Sequence, residues 1–442
     1  MSELRIGCPT VSAGGAGPRT TADVTLGPSS HRLWYEASTG PIASGCEPFV
    51  AATFVPALRA ATSVRPALPI SGRLLASLPN VADVLCAWDP LFRRVAVEAE
   101  AAPVAATGDD RGIGSFFSCG VDSFDSVLTH RDEITALVFV YAYEPRLLDP
   151  ETRAAHIRVV RSAAAELGKP LIEVDTNVWS FADPHVSFHL HYISSLLASV
   201  ALLLAPRLRK IYIPSTWSYT SLFPWGSHPL LDPLWSSDDV EIVHDGLARM
   251  RPQKVTRIAA SDTALRHLRV CYASTKPTLN CGRCEKCLRT MAALRMAGAL
   301  ERCTTFDVPF DVDALAAVSP GPELLYAYRN LLRHLHATTE DPALEAAIRR
   351  VIATGGEAPV LVEDRARYLE YQWNRNRAAL ADATARADAA EARVAELEHR
   401  FGTLHHRFVE RADAGLRRWP RLRAAVRRVA LLFASSRTRP TQ

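Results

Sequence analysis

An α/β fold, with a mainly parallel sheet carrying helices on both faces, is predicted by three observations in the 442 residues. Between about residues 111 and 305, short apolar runs rich in β-branched or aromatic residues alternate with longer amphipathic stretches. The first run leads straight into a small-residue turn, Ser118-Cys119-Gly120-Val121-Asp122-Ser123, followed by residues able to open a helix. At the far end of the same stretch, four cysteines fall between positions 271 and 287. In sheets of this kind ligands sit at the C-terminal ends of the strands, so the turn marks the expected site.

Taken in order, residues 1–30 are rich in Gly, Ser, Thr and Pro and are expected to be flexible. Residues 31–108 read as a small α/β domain without a chemical motif. LWYEA (33–37) and RVAVEAE (94–100) have strand patterning, and the stretches 48–61 and 71–85 have helical patterning. Residues 109–305 carry the strand candidates GSFFS, ALVFVYAY, PLIEVDT and KIYIPST. Helical candidates at 151–168 and 189–206 lie between them. The longest apolar run, Leu196–Leu204, is too short to span a bilayer and reads as a buried helix. Residues 306–362 form a helical extension. In 363–410 apolar residues recur at alternating steps of three and four: Leu380, Ala383, Ala387, Ala390, Val394, Leu397, Phe401, Leu404 and Phe408. That is a coiled-coil heptad, expected to mediate self-association through 380–408. Residues 411–442 are a basic amphipathic tail.

Composition narrows the function class. Hydrophobic residues at 48% and charged residues at 22% are ordinary for a globular chain, and the length implies two or three domains. The net charge of +4 is unevenly placed: the tail alone carries about +8, leaving the rest near −4. A nucleic-acid role for the main body gains nothing from this balance. The tail's apolar side (Leu422, Val426, Val429, Phe433) makes peripheral membrane contact through 411–433 one reading; an acidic partner or plain solvation are the others. The N-terminus has no basic start followed by an apolar core, so a cytoplasmic location is expected. There, nine cysteines favour metal over disulfides.

A strand, a tight turn and a helix N-terminus place unpaired N–H groups where an anion can meet them, and the helix dipole favours negative charge. Gly120 permits close approach or positive φ, while Ser118 and Ser123 add hydroxyl donors. Asp122 has no reason to touch phosphate; it suits a magnesium ligand or an anchor for the loop. The cysteine spacing Cys271-x9-Cys281-x2-Cys284-x2-Cys287 suits a closed tetrahedral zinc site, with an iron–sulfur cluster as the chemical alternative.

The segment SCGVDS resembles the SGGxDS signature of PP-loop ATP pyrophosphatases, with Cys119 standing at the first glycine. The stretch RVCY…NCGRCEKCLRTMAAL, including Arg289, resembles the zinc segment of 7-cyano-7-deazaguanine synthase, and the two motifs follow in that family's order. The resemblance covers about 111–300. It implies the adenine nucleotide alpha hydrolase type of fold, with ATP, Mg2+ and Zn2+ as cofactors. It also implies a lysine that neutralises developing phosphate charge, for which Lys254 stands in place; a solvated surface lysine is the alternative. The family's segment between the fourth strand and the zinc site has no counterpart in 216–239, which points to a relative with a different acid substrate.

Elsewhere, His228, Asp232, Trp225 and Trp235 lie in a Pro-rich loop and are read either as substrate contacts or as loop packing. His185, His189 and His191 resemble a metal trio, but 189 and 191 face apart on a helix. The expectation is an ATP-dependent ligase. It would adenylate a small carboxylate or amide-like substrate for attack by a nitrogen nucleophile, with Asp122 and Lys254 serving the chemistry, and release AMP and pyrophosphate. The alternatives are a degenerate nucleotide-binding scaffold with a coiled coil and membrane-surface tail, or a zinc module for nucleic acid.

Overall fold

The structure, a computed structural model, describes residues 3–104, 110–141, 150–271, 279–355 and Arg393. The chain divides into two units, 1–369 and 370–442, and everything described below belongs to the first. The coiled coil expected at 363–410 and the tail at 411–442 lie outside the described residues, apart from Arg393.

Four strands open the chain: β1 (Glu3–Ile6), β2 (Thr10–Ala13), β3 (Pro18–Leu26) and β4 (Ser29–Ala37). Then come α1 (Glu47–Ala60), β5 (Ser63–Pro66), β6 (Ile70–Ser71), α2 (Gly72–Trp88) and β7 (Ala101–Ala102). The second half of the sheet uses β8 (Gly112–Phe116), α3 (Val121–Thr129), β9 (Ala136–Val140), α4 (Pro150–Glu166) and β10 (Leu171–Thr176). It continues with α5 (Val178–Ala182), α6 (Ile193–Leu203), β11 (Leu208–Pro214), β12 (Glu241–Asp245), α7 (Arg251–Ile258) and α8 (Asp262–His267). Four helices follow: α9 (Glu285–Met296), α10 (Val312–Ala316), α11 (Pro322–Thr338) and α12 (Pro342–Thr354).

Ten strands form one sheet in the order β12-β11-β8-β9-β10-β4-β3-β1-β5, with β2 beside β3. From β12 to β10 every neighbour is parallel, and from β10 through β4 and β3 to β1 every neighbour is antiparallel. Within the parallel half the chain starts in the middle, moves outward through β9 and β10, then returns to the other side of β8 for β11 and β12. The strand order therefore reverses between β8 and β11, which creates a crevice at their C-terminal ends.

Alternate residues of each central strand feed two separate cores. Val138, Val140, Ile211, Ile213 and Ile242 pack with α1, α2, α5 and α6. Leu137, Phe139 and Tyr212 pack with α3, α4 and α7 to α12. The helices thus cover both faces, as predicted. All eleven residues of α6 are buried, as its apolar run implies. No helix among the described residues is long and apolar enough to cross a membrane.

Three expectations are corrected. Residues 3–30, expected to be flexible, supply β1 to β3; β3 alternates buried with more open residues, and its threonines are strand formers despite their polarity. Residues 31–108 are not a separate domain, because β4 pairs with β10 across Val174–Ala37, Asp175–Glu36 and Thr176–Tyr35. RVAVEAE makes only an isolated bridge, Val64 to Val97, followed by the two-residue β7.

Candidate functional site

The turn after β8 lies in the crevice. Cys119, not Gly120, takes the left-handed conformation there, with φ of 60°, while Gly120 has φ of −77° and precedes the first turn of α3. The Cys119 side chain is fully buried among Val121, Phe124 and their neighbours, and burial pushes its thiol well above the usual range. It points into the core rather than at the turn's open side, so it neither crowds an anion nor serves as an exposed sulfur nucleophile. Gly120 gives α3 no side-chain cap, so the first N–H groups of that helix have no preceding turn to bond. Ser123 ties the turn together. Its Oγ accepts from the Ser118 N–H at 3.4 Å and donates to the Gly120 carbonyl at 3.0 Å.

Behind the turn sits a buried ionic cluster. Arg251 Nη1 donates to Asp122 Oδ2 at 2.8 Å, and Lys254 Nζ approaches Asp122 Oδ1 at 3.3 Å while also donating to the Ser215 carbonyl. Burial alone would raise the Asp122 carboxyl, but Arg251, Lys254 and Lys286 outweigh it and hold the group below the usual carboxylate range. Arg251 and Lys254, three apart on α7, share a face. Lys254 is only 1% exposed and is held between strand and turn. Arg251 borders the cleft, and its buried Nε finds no hydrogen-bond partner among the described residues.

The cleft has a volume of about 180 Å³. Ser118, Gly120, Asp122 and Ser123 form one side, with the ends of β8, β9 and β11 beneath and Trp225 across from them. Among the described residues, three cations border it, Arg251, Arg269 and Lys286, against a single carboxylate, Asp122. A low-dielectric crevice lined this way focuses a positive field and suits a polyanion. Asp122 is already committed to two cations, so this wall does not fit a protein-held magnesium ion. Of the two roles expected for Asp122, loop anchor is the one the geometry supports.

The four cysteines converge beside the same cleft. Their sulfurs all lie within 4.8 Å of one another; Cys271–Cys284 is 3.9 Å and Cys281–Cys287 is 4.0 Å. A tetrahedral ion with bonds of about 2.3 Å to sulfur has edges of about 3.8 Å, so the set is placed to hold a metal ion such as zinc. The Cys284 N–H donates to Cys281 Sγ at 3.3 Å. Gly282 makes the turn with φ of 66°, where a side chain would also strike Val308. The hydrogen bond shared with the Cys271 thiol pushes Cys284 up to about 11.

Asn280 joins the cysteine turn to its surroundings. Its Oδ1 accepts from the Val270 and Cys271 N–H groups at 2.8 and 3.1 Å, and its Nδ2 donates to the Leu268 carbonyl and to Thr305 Oγ1 at 2.8 and 2.9 Å. The same segment touches the phosphate turn, where the Arg269 N–H donates to the Cys119 carbonyl at 2.8 Å. Arg269 and Cys271 consequently border the cleft, and the two motifs form one site. Arg289 pairs with Glu285 at 2.6 Å and fixes the first turn of α9.

Among the loop candidates, Trp225 lines the cleft and stacks on His189 with ring centroids 5.5 Å apart. Gly226 allows that contact: its N–H donates to the His189 carbonyl at 2.8 Å, and a side chain there would strike His189 and His191 backbone. His228 and Asp232 instead pack the loop from behind. Asp232 binds His244 Nδ1 at 2.7 Å and accepts from Ser227 at 2.7 Å, and Trp235 is buried against Phe54. His189 and His191 do point apart, across a π-helical turn at Phe188–Tyr192, with His191 3.3 Å from Asp89. The four cysteines are the candidate metal group among the described residues, and His185, His189 and His191 are not part of it. Arg251, Arg269 and Lys286 were not singled out from sequence; Arg251 alone had a cue, its place three residues before Lys254.

Fold and site together define an α/β protein whose sheet reverses at a cationic cleft flanked by a four-cysteine metal knuckle. No family model matches the chain, and neither a curated protein nor a solved structure matches it.

Proposed function

We propose that this chain is an ATP-dependent adenylating enzyme of the PP-loop kind, which activates a small carboxylate or amide-like oxygen for attack by a nitrogen nucleophile. The observation that supports it best is the pairing of an uncapped helix N-terminus with Arg251 and Arg269 at the sheet's reversal point. In this reading the N–H groups of α3 and Arg251 receive the pyrophosphate portion of ATP, and Trp225 bounds the acceptor side. The acceptor oxygen attacks the α-phosphorus, and the bond to the departing pyrophosphate breaks. The amine nitrogen then adds to the activated carbon, loses its proton to solvent, and AMP departs with the bonding pair. The protein contributes orientation and charge neutralisation, with no nucleophile of its own. Lys254 holds Asp122 and the Ser215 carbonyl in place, which keeps the turn and α7 in register. Magnesium enters as the nucleotide's counter-ion. Cys271, Cys281, Cys284 and Cys287 would hold zinc, which supplies a closed structural crosslink.

The test incubates the zinc-loaded full chain with ATP, magnesium and pooled carboxylic acids. Acid-dependent release of pyrophosphate and AMP in equal amounts, abolished by Arg251→Ala, is expected. Release of ADP and phosphate, or no turnover with any acid, contradicts the reading. ATP binding without turnover would favour the non-catalytic scaffold.

A further inference from the structure

Lys286 occupies an unusual place. It lies between two metal ligands, Cys284 and Cys287, at the second position of α9, and its side chain borders the cleft together with Ser118, Gly120 and Asp122. Cys284 caps α9 without a side-chain hydrogen bond, so the helix dipole adds to the positive field at that spot. The backbone around Lys286 is fixed from both sides. A metal bound to the cysteines would clamp residues 284 and 287, and the Glu285–Arg289 pair at 2.6 Å locks the turn between them.

We propose that Lys286 is an anion-binding residue of the cleft, and that the four-cysteine metal site fixes its ammonium over the phosphate turn. Its field reaches both walls: it helps hold the Asp122 carboxyl low, and after burial it is the other influence lowering His189, which stacks on Trp225. Lys286 thus stands between the turn that would receive pyrophosphate and the wall that would receive the acceptor. This is where negative charge gathers when an acceptor oxygen attacks a phosphate. Arg283 belongs to the same knuckle but is exposed and does not border the cleft, which makes it a matched control.

This inference rests on the nucleotide-binding reading of the cleft. The experiment measures affinity for ATP and for inorganic pyrophosphate by calorimetry, using the full chain with its zinc content assayed. Lys286→Ala should retain zinc and its circular dichroism spectrum, yet bind both ligands at least about tenfold more weakly. Lys286→Arg should recover most of the loss, and Arg283→Ala should bind like the parent. Chelating the zinc should weaken binding in the parent by a similar factor, and add little in Lys286→Ala, because both changes remove the same contact. Unchanged affinity in Lys286→Ala overturns the proposal, as does an undiminished chelation effect in that variant. If chelation unfolds the chain, the zinc-loaded Ala, Arg and Arg283→Ala series decides alone. A parent protein that binds neither ligand overturns the nucleotide reading itself, and this inference with it.

Discussion

The parallel strands β8 to β12 and the antiparallel strands β1, β3 and β4 share one sheet, yet they place their charges differently. Around the antiparallel strands the ion pairs keep an open arginine: Arg32 and Asp23 are 72% and 57% exposed, and even the buried Glu36 is met by an Arg19 that is 39% exposed. At the C-terminal ends of the parallel strands the charges are buried: Lys254 with Asp122, Asp125 beneath Arg249, and Asp232 with His244. Exposed pairs contribute little to stability, whereas buried charges are costly to desolvate and costly to leave unpaired. A fold that concentrates them at one end of half a sheet marks that end as the place of function.

The sharpest way to break this contrast is Asp122→Ala. It leaves Arg251 and Lys254 without their carboxylate and should cost about 3–5 kcal/mol in denaturant unfolding, with ATP affinity lost as well. A cost near that of an exposed pair would mean the cluster is hydrated and the contrast is false. Away from the site, Phe49→Ala, a buried residue in the first turn of α1 that packs edge-on against Tyr35 of β4, should cost about 3–4 kcal/mol through its cavity. The nucleotide affinity of the remaining folded molecules should not change; a matching loss of affinity would show that the two halves are coupled.

Acid titration sharpens the comparison further. Burial lowers His228 to about 4 and His191 to about 4. Below the ordinary value near 6.5, the unfolded chain takes up these protons and the folded chain does not. Stability should therefore fall as pH drops from about 6.5 towards 4, by at most roughly 3 kcal/mol for each group. His228→Gln should flatten that slope, measured as the urea midpoint across the range; an unaltered slope would place the acid sensitivity elsewhere. The smallest effect is expected from Cys119→Gly. Relief of the left-handed backbone offsets the lost burial of the thiol, so stability should change by no more than about 1 kcal/mol. Turnover should be unchanged because the side chain faces the core. A marked rise in turnover would show that it crowds the phosphates after all.

What was legible in the sequence follows from how local each signal is. The strand runs at 114–118, 136–140, 171–176 and 210–214 are apolar enough to read directly, and the cysteine spacing carries its own geometry. β12, EIVHD, was missed because Asp, Ser and a single alternation surround it. The N-terminal strands were misread because only a few residues such as Thr20, Ala22 and Val24 reach the interior, while Gly, Ser, Thr and Pro together dominate the composition. The cleft's cations come from Arg251 on α7, Arg269 in the segment after α8 and Lys286 on α9, and only the packing of these segments beside the turn after β8 brings them together. Cys119 shows the converse: its identity was visible, but its direction depended on a backbone angle.

Equilibrium dialysis of labelled ATP against the zinc-loaded full chain tests the central claim most directly. A single ATP bound per chain, displaced by pyrophosphate and released on Arg251→Ala, is the predicted result. No binding by the parent, or binding that Arg251→Ala leaves intact, would contradict a nucleotide site at the sheet's reversal point.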